Sequence, residues 1–360
     1  MVQDSTAAPA LEKFAAFASA AEAALTRSGV AEESVSPGGA DVSIRFAGPR
    51  LRDQMMRAFS HVRTSGDTES ALRVTIWDSA GSGLPLPREV GLPSDHRRRG
   101  LAQLQTNGPI LSLFDLDGGL SMLDFARKRA INWVPDANRL TERQRAAPLQ
   151  AILSWWLPTQ SRTVAHAAAL GTPAGAVLLS GGSHAGKSTT ALACVDNGFF
   201  YLGDDLCALT AAGDVTAHSV YCSVKVFEHN LEKFANFARV VTNPASLDTE
   251  KAIGYLTDWM PDSLRRSLPV RAFVILGEKG LARPVIRAIP AIKALAGVAP
   301  STFFNLPGSG KAELAGLARL LNRVPCYEMS LSSDLDANPQ ALRSLIENGS
   351  AAGTGERSEP

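Results

Sequence analysis

The chain has 360 residues, 45% apolar and 20% charged, with 36 Lys and Arg against 35 Asp and Glu. This length exceeds one ordinary core and predicts two domains, and the near-neutral charge supplies no field to hold a polyanion, so nucleic acid is not an expected partner. The apolar content excludes general disorder, and no apolar run is long enough to span a bilayer, which leads to the expectation of a cytoplasmic protein with no membrane partner.

Residues 11–25 are rich in alanine and place Leu11, Phe14, Phe17 and Ala21 at helical spacing, predicting an amphipathic helix. Val42, Ile44 and Phe46 then alternate with Ser43 and Arg45, and residues 72–77 repeat the pattern with Leu72, Val74 and Ile76. Both segments read as half-buried strands. Leu51, Met55, Ala58 and Phe59 carry helical spacing between them, so the first unit reads as a small α+β domain whose role is not written in its residues. Residues 81–108 are rich in Gly, Pro and charge, and their basic run, His96 to Arg99, reads as a solvated loop. Further strands are expected at 110–114 and 131–134, then a helix at 149–157 whose Trp155 and Trp156 pack between domains. The domain boundary is placed near residue 150, and residues 348–360 read as a disordered tail. Cys194, Cys207, Cys222 and Cys326 have no metal-ligand spacing and are expected to be reduced, buried thiols.

The sharpest signal follows. Gly181, Gly182, Ser183, His184, Ala185, Gly186, Lys187 and Ser188 satisfy G-x-x-x-x-G-K-[ST], the pattern of a phosphate-binding loop. Glycines are needed where the backbone curls its N–H groups around phosphates, Lys187 would meet the β- and γ-phosphates, and the Ser188 hydroxyl would bind Mg²⁺. A buried-strand run at 176–179 precedes the loop, and a helix from Thr189 to Asn197 follows, its positive end toward the anion. Next comes an aromatic strand, 199–203, ending in Asp204 and Asp205. Strand ends in open α/β sheets face the ligand crevice; one acid can complete the Mg²⁺ shell, and the second is free to act as a base toward an attacking hydroxyl. Upstream, residues 163–170 read as a buried strand carrying one histidine, His166.

In this arrangement the chain resembles the HPr kinase/phosphorylase family, P-loop enzymes that phosphorylate a protein serine and share a fold with phosphoenolpyruvate carboxykinases. His166 stands 15 residues before Gly181, and Asp204 and Asp205 stand 17 and 18 residues after Lys187, at the family's spacing. The resemblance, over about residues 160–347, implies a central mixed sheet with helices, Asp205 as base assisted by His166, Asp204 on the metal, and ATP with Mg²⁺. The family's glycine-rich segment with its metal-binding glutamate is not recognisable; residues 217–225 are instead similar to a divergent group with a Ser-x-Tyr-x-Ser-x-Lys stretch, which includes kinases of lasso-peptide precursors. Tyr221, Ser223 and Lys225 thereby become candidates for substrate or phosphate contact, although an ordinary strand would look the same.

Residues 270–276 and 283–289 read as a hairpin, 299–302 and 306–310 as a loop before a helix at 312–322, 326–331 as a strand and 339–346 as a closing helix. The expected function is a Mg²⁺/ATP-dependent kinase acting on a serine of a protein or peptide. A nucleotide-binding regulatory module is the alternative, and the oligomeric state, a homo-oligomer included, stays open.

Overall fold

The computed structural model describes residues 7–66, 71–91, 103–115, 117–306, 308 and 310–349. Two units divide the chain, Met1–Gln160 and Ser161–Pro360. The first contains α1 (Ala7–Ser28), β1 (Val30–Val35), β2 (Val42–Ala47), α2 (Pro49–Met55), β3 (Leu72–Asp78), the short α3 (Ser79–Ser82), β4 (Gln103–Asn107), β5 (Ile110–Phe114), β6 (Leu120–Asp124), β7 (Arg129–Val134), α4 (Glu142–Ala146) and α5 (Gln150–Thr159). Its mixed sheet has the order β1-β2-β3-β7-β6-β5-β4, with β3 parallel to both neighbours. That interior position buries both faces of β3, leaving only Arg73 exposed, which corrects the half-buried reading of this strand.

Phe14, Phe17 and Ala21 of α1 share one core with Trp77 and Ile131. Glu22 on the same helix reaches Arg45 of β2 at 2.9 Å and Arg129 of β7 at 2.7 Å, tying two strands that flank β3. The helical spacing after Pro49 resolves into α2 and a 3-10 segment ending at Val62. Because α5, with buried Trp155 and Trp156, packs on β6, the boundary falls after Gln160 rather than near residue 150. The basic run at 96–99 lies outside the described residues.

The second unit contains β8 (Thr163–Ala165), β9 (Ala168–Thr172), β10 (Gly175–Ser180), α6 (Lys187–Asp196), β11 (Phe200–Gly203), β12 (Cys207–Thr210), β13 (Thr216–His218), β14 (Ser223–Val226), the short α7 (Ala235–Ala238), β15 (Ala252–Tyr255), β16 (Ser267–Leu281), β17 (Val285–Ala288), α8 (Ala291–Asn305), α9 (Lys311–Leu321), β18 (Cys326–Ser332) and α10 (Ala337–Asn348). It is an α/β unit. Nine strands form one mixed sheet, β11-β9-β10-β16-β13-β12-β8 with β18 and β17 joined through β16, and β14 pairs apart with β15. β16 pairs in turn with β13, β10 and β18.

Period-two alternation on β10 sorts its side chains between two cores. Val177 and Leu179 join Leu192 of α6 and Leu345 of α10, whereas Ala176 and Leu178 join Val298 of α8 and Leu320 of α9. Helices therefore cover both faces, which is why the strand before the glycine-rich loop is apolar at every position that a one-sided strand would leave polar.

Three expectations are corrected in this unit. Residues 163–170 are not one strand: β8 pairs with β12 and β9 with β10 and β11, so His166 and Ala167 lie at the break where the chain changes partners. Nor do β16 and β17 form a hairpin, because β18 lies between them, parallel to β16 and antiparallel to β17. Residues 299–302 continue α8, whose buried Ala294, Val298 and Thr302 recur every four residues and outweigh the interior Pro300. Pro307 and Ser309 of the expected loop, and residues 350–360 of the expected tail, lie outside the described residues; α10 runs to Asn348, with Gly349 at φ 63 as its cap. All four cysteines are free and buried.

Candidate active site

β10 ends at Ser180, and the chain turns through residues 181–186 into α6. Gly181 (φ 153) and Gly186 (φ 99) hold the turn in backbone conformations that other residues rarely adopt. Space for a side chain is also tight: a Cβ on Gly181 would stand 3.0 Å from both Ala185 Cβ and the Leu276 carbonyl, and one on Gly186 3.1 Å from Leu331 Cδ1. Lys187 Nζ donates to the Gly181 carbonyl at 3.0 Å and the Gly182 carbonyl at 3.4 Å, so its ammonium sits at the loop's own backbone. Lys279 of β16 donates to the His184 carbonyl at 2.8 Å and braces the loop.

β11 delivers the acid pair. The Asp205 N–H donates to Asp204 Oδ1 at 3.0 Å, while Asp204 Oδ2 is buried without a well-formed hydrogen bond among the described residues. Asp205 itself has φ 74, a strained conformation of the kind that collects at functional sites. Its Oδ2 lies 2.6 Å from Lys225 Nζ, and its Oδ1 lies 3.6 Å from His166 Nε2, too far for a direct hydrogen bond but well within electrostatic reach. His166 is fixed through its backbone. Its N–H donates to Thr302 Oγ1 at 3.1 Å and its carbonyl accepts from Ser180 Oγ at 3.2 Å, so both of its peptide groups are satisfied at the strand break.

Burial, then the Asp205 charge, raises the proton affinity of Asp204 above the ordinary carboxylate value, against the Ser188 hydroxyl and the Lys187 and His166 charges. Burial would do the same to Asp205, but Lys225 and then His166 outweigh it and hold that carboxyl well below the usual range. Two adjacent acids are thus driven apart by their neighbours. Burial, with help from Lys251, lowers the Lys187 affinity for its proton, and the two aspartates oppose this. Asp204 and the Ser188 hydroxyl are hard oxygen donors suited to a divalent cation, which would also relieve the charge that burial makes costly on Asp204.

These groups open on a cavity of about 800 Å³ lined by His166, residues 182–190, Asp205 and Lys225. Gly181 and Asp204 adjoin it without forming its wall. Tyr221 and Ser223 are 0% and 6% exposed and do not line it, which corrects their candidacy as substrate contacts. Tyr201 donates instead to the Ser223 carbonyl at 2.6 Å, inside the core. Lys225 faces the cavity, and Val226 beside it reaches both that wall and the core behind, which Val224 also joins. The wall also contains Phe227, His229, Lys233, Lys251 and Lys279, none of them anticipated, along with Ser301 and Phe304 at the end of α8. A lysine after the apolar run of β16 was a usable signal for Lys279, since strand ends face the crevice; Lys251 carried no such mark.

No family model matches the chain, and no curated protein matches it. Among solved structures, the Hpr(Ser) kinase/phosphatase from Coxiella burnetii is similar at a TM-score of 0.31 and 13% identity, covering 52% of this chain and 89% of that one.

Proposed function

We propose that the chain is a Mg²⁺/ATP-dependent kinase that transfers a γ-phosphoryl group to a serine hydroxyl of a protein or peptide. The observation that carries this reading is Asp205: a carboxylate 2.6 Å from Lys225 and 3.6 Å from His166, on the wall of the cavity that the glycine-rich loop lines. A protein that only binds nucleotide has no use for a second acid there, whereas phosphoryl transfer to an alcohol needs an acceptor for the alcohol's proton.

In this reading the backbone of residues 182–189 and Lys187 receive the triphosphate. Asp205 takes the proton of the acceptor hydroxyl as its oxygen bonds to the γ-phosphorus; the bond from that phosphorus to the bridging oxygen breaks, and ADP leaves. Ser188 and Asp204 would hold Mg²⁺, which supplies neutralising charge to the phosphate oxygens. Positioning and charge account for most of the acceleration, and the base for about 10²- to 10⁴-fold.

Incubation of the purified protein with γ-labelled ATP and a cell lysate tests the reading. Label on a polypeptide, lost in Lys187→Ala, is expected; nucleotide binding with no labelled polypeptide would assign the chain to regulatory nucleotide-binding modules instead.

A further inference from the structure

β14 and β15 pair antiparallel, with Lys225 opposite Ile253 and Val226 opposite Ala252. One further step of that register sets Phe227 opposite Lys251, and Lys251 Nζ indeed lies 4.6 Å from the centroid of the Phe227 ring. His184 of the phosphate loop and His229 stack on the same ring, with centroids 5.2 and 5.5 Å away. Phe227 follows Lys225 by two residues and so shares its side of the strand. At about 3.3 Å per residue, the Lys251 end of the ribbon stands about 7 Å along the wall from the Lys225–Asp205 pair.

The cavity wall is basic. Lys233 and Lys251 both line the cavity, and among the described residues neither is paired with a carboxylate; Lys233 donates to Asn230 Oδ1 at 3.1 Å. Like charges that share a cavity repel one another until an anion joins them. The phosphate loop already has its own donors in its N–H groups and Lys187, with Lys279 bracing the backbone, so the Lys251 end is surplus to a triphosphate.

We propose that Lys251 and His229, grouped around Phe227, form a second anion subsite belonging to the acceptor: the molecule phosphorylated carries a carboxylate or phosphate about 7 Å from its reacting hydroxyl. The inference rests on the kinase reading and names a chemical class for its substrate. Phe227 holds Lys251 in place through the face of its ring, and the subsite orients the acceptor so that its hydroxyl falls at Asp205.

Calorimetry separates this from the reading it rests on. Mg²⁺ with the non-hydrolysable analogue AMP-PNP is titrated first, and inorganic phosphate or acetate is then titrated into the saturated protein. The expected result is anion binding with the loop already filled, weakened about tenfold or more in Lys251→Gln, largely restored in Lys251→Arg, and with AMP-PNP affinity unchanged in both variants. Preference for phosphate over acetate marks a phosphate-bearing acceptor, and the reverse a carboxylate-bearing one. Normal AMP-PNP binding with no second anion, or with one that is indifferent to Lys251, overturns the inference alone. Loss of AMP-PNP affinity in Lys251→Gln also overturns it, giving the lysine to the nucleotide. Failure of AMP-PNP to bind the parent protein removes the kinase reading and the inference with it.

Discussion

The Lys225 ammonium stands 2.6 Å from the Asp205 carboxylate, so the acid assigned to the acceptor proton is also the partner of a largely buried cation. The contact keeps Asp205 ionised and ready to accept, yet it also weakens it as a base. A phosphoryl group arriving nearby gives Lys225 a second anion to approach, which would release proton affinity to Asp205 at the moment of transfer.

Asp205→Asn is expected to bind ATP like the parent and to transfer phosphate at least about 10²-fold more slowly. The substitution is apt because asparagine tolerates the left-handed backbone that Asp205 adopts at φ 74. Nucleotide titration and a labelled-transfer assay measure the two halves; transfer at the parental rate would remove Asp205 from the base role.

Lys225→Met raises the proton affinity of Asp205, since the ammonium is the main group holding it down. Transfer requires the ionised acid, so the acidic limb of the pH–rate profile should move to higher pH. An acidic limb at the same pH in both proteins would show that the pair does not govern the reaction.

Asp204 titrates in the opposite sense. Its affinity is raised on folding, so the folded state binds the proton more tightly, and stability is lost as pH rises from the ordinary value of 3.8 through the folded one. Asp204→Asn should therefore stabilise the metal-free protein near neutral pH by about 1 kcal/mol, while abolishing the gain in melting temperature that Mg²⁺ with nucleotide produces. Thermal melts with and without Mg²⁺ at pH 5 and 8 decide this; a variant less stable than the parent at both values contradicts the assignment.

Gly186→Ala places a Cβ 3.1 Å from Leu331 Cδ1 on a backbone at φ 99. A cost of about 1–2 kcal/mol and loss of nucleotide binding are expected, because relieving the strain opens the loop. Retention of parental affinity would mean that the loop geometry is not what holds the phosphates.

Burial pushes the Cys326 thiol up to about 11 and those of Cys194 and Cys207 further. A thiol reagent at pH 8 should leave the native protein unmodified and find four thiols after denaturation in guanidinium. One fast-reacting thiol in the native state would contradict the packing around that cysteine.

The turn from β10 into α6 was legible in the chain because its glycines answer a local demand for positive φ and an apolar strand and a helix flank them. The acid pair was legible for a related reason, as a strand end is visible in sequence. His166 was found but misplaced, since an unbroken apolar run conceals the change of partner from β12 to β10 and β11. The apparent hairpin of β16 and β17 failed because parallel pairing with β18 joins residues some fifty positions apart and leaves no local turn signal. Tyr221 and Ser223 were singled out by resemblance to a Ser-x-Tyr-x-Ser-x-Lys stretch, which carries no information on burial, and both lie in the core. Lys251 was beyond reach, as only the register of β14 on β15 brings it to Phe227.

β16 borders strands drawn from three distant stretches of chain, around residues 176, 217 and 326. A polypeptide wired in this way has no half that can be excised and kept folded. Amides in its middle exchange with solvent only when the whole unit opens, and refolding waits on long-range closures, so the second unit should assemble late and all at once.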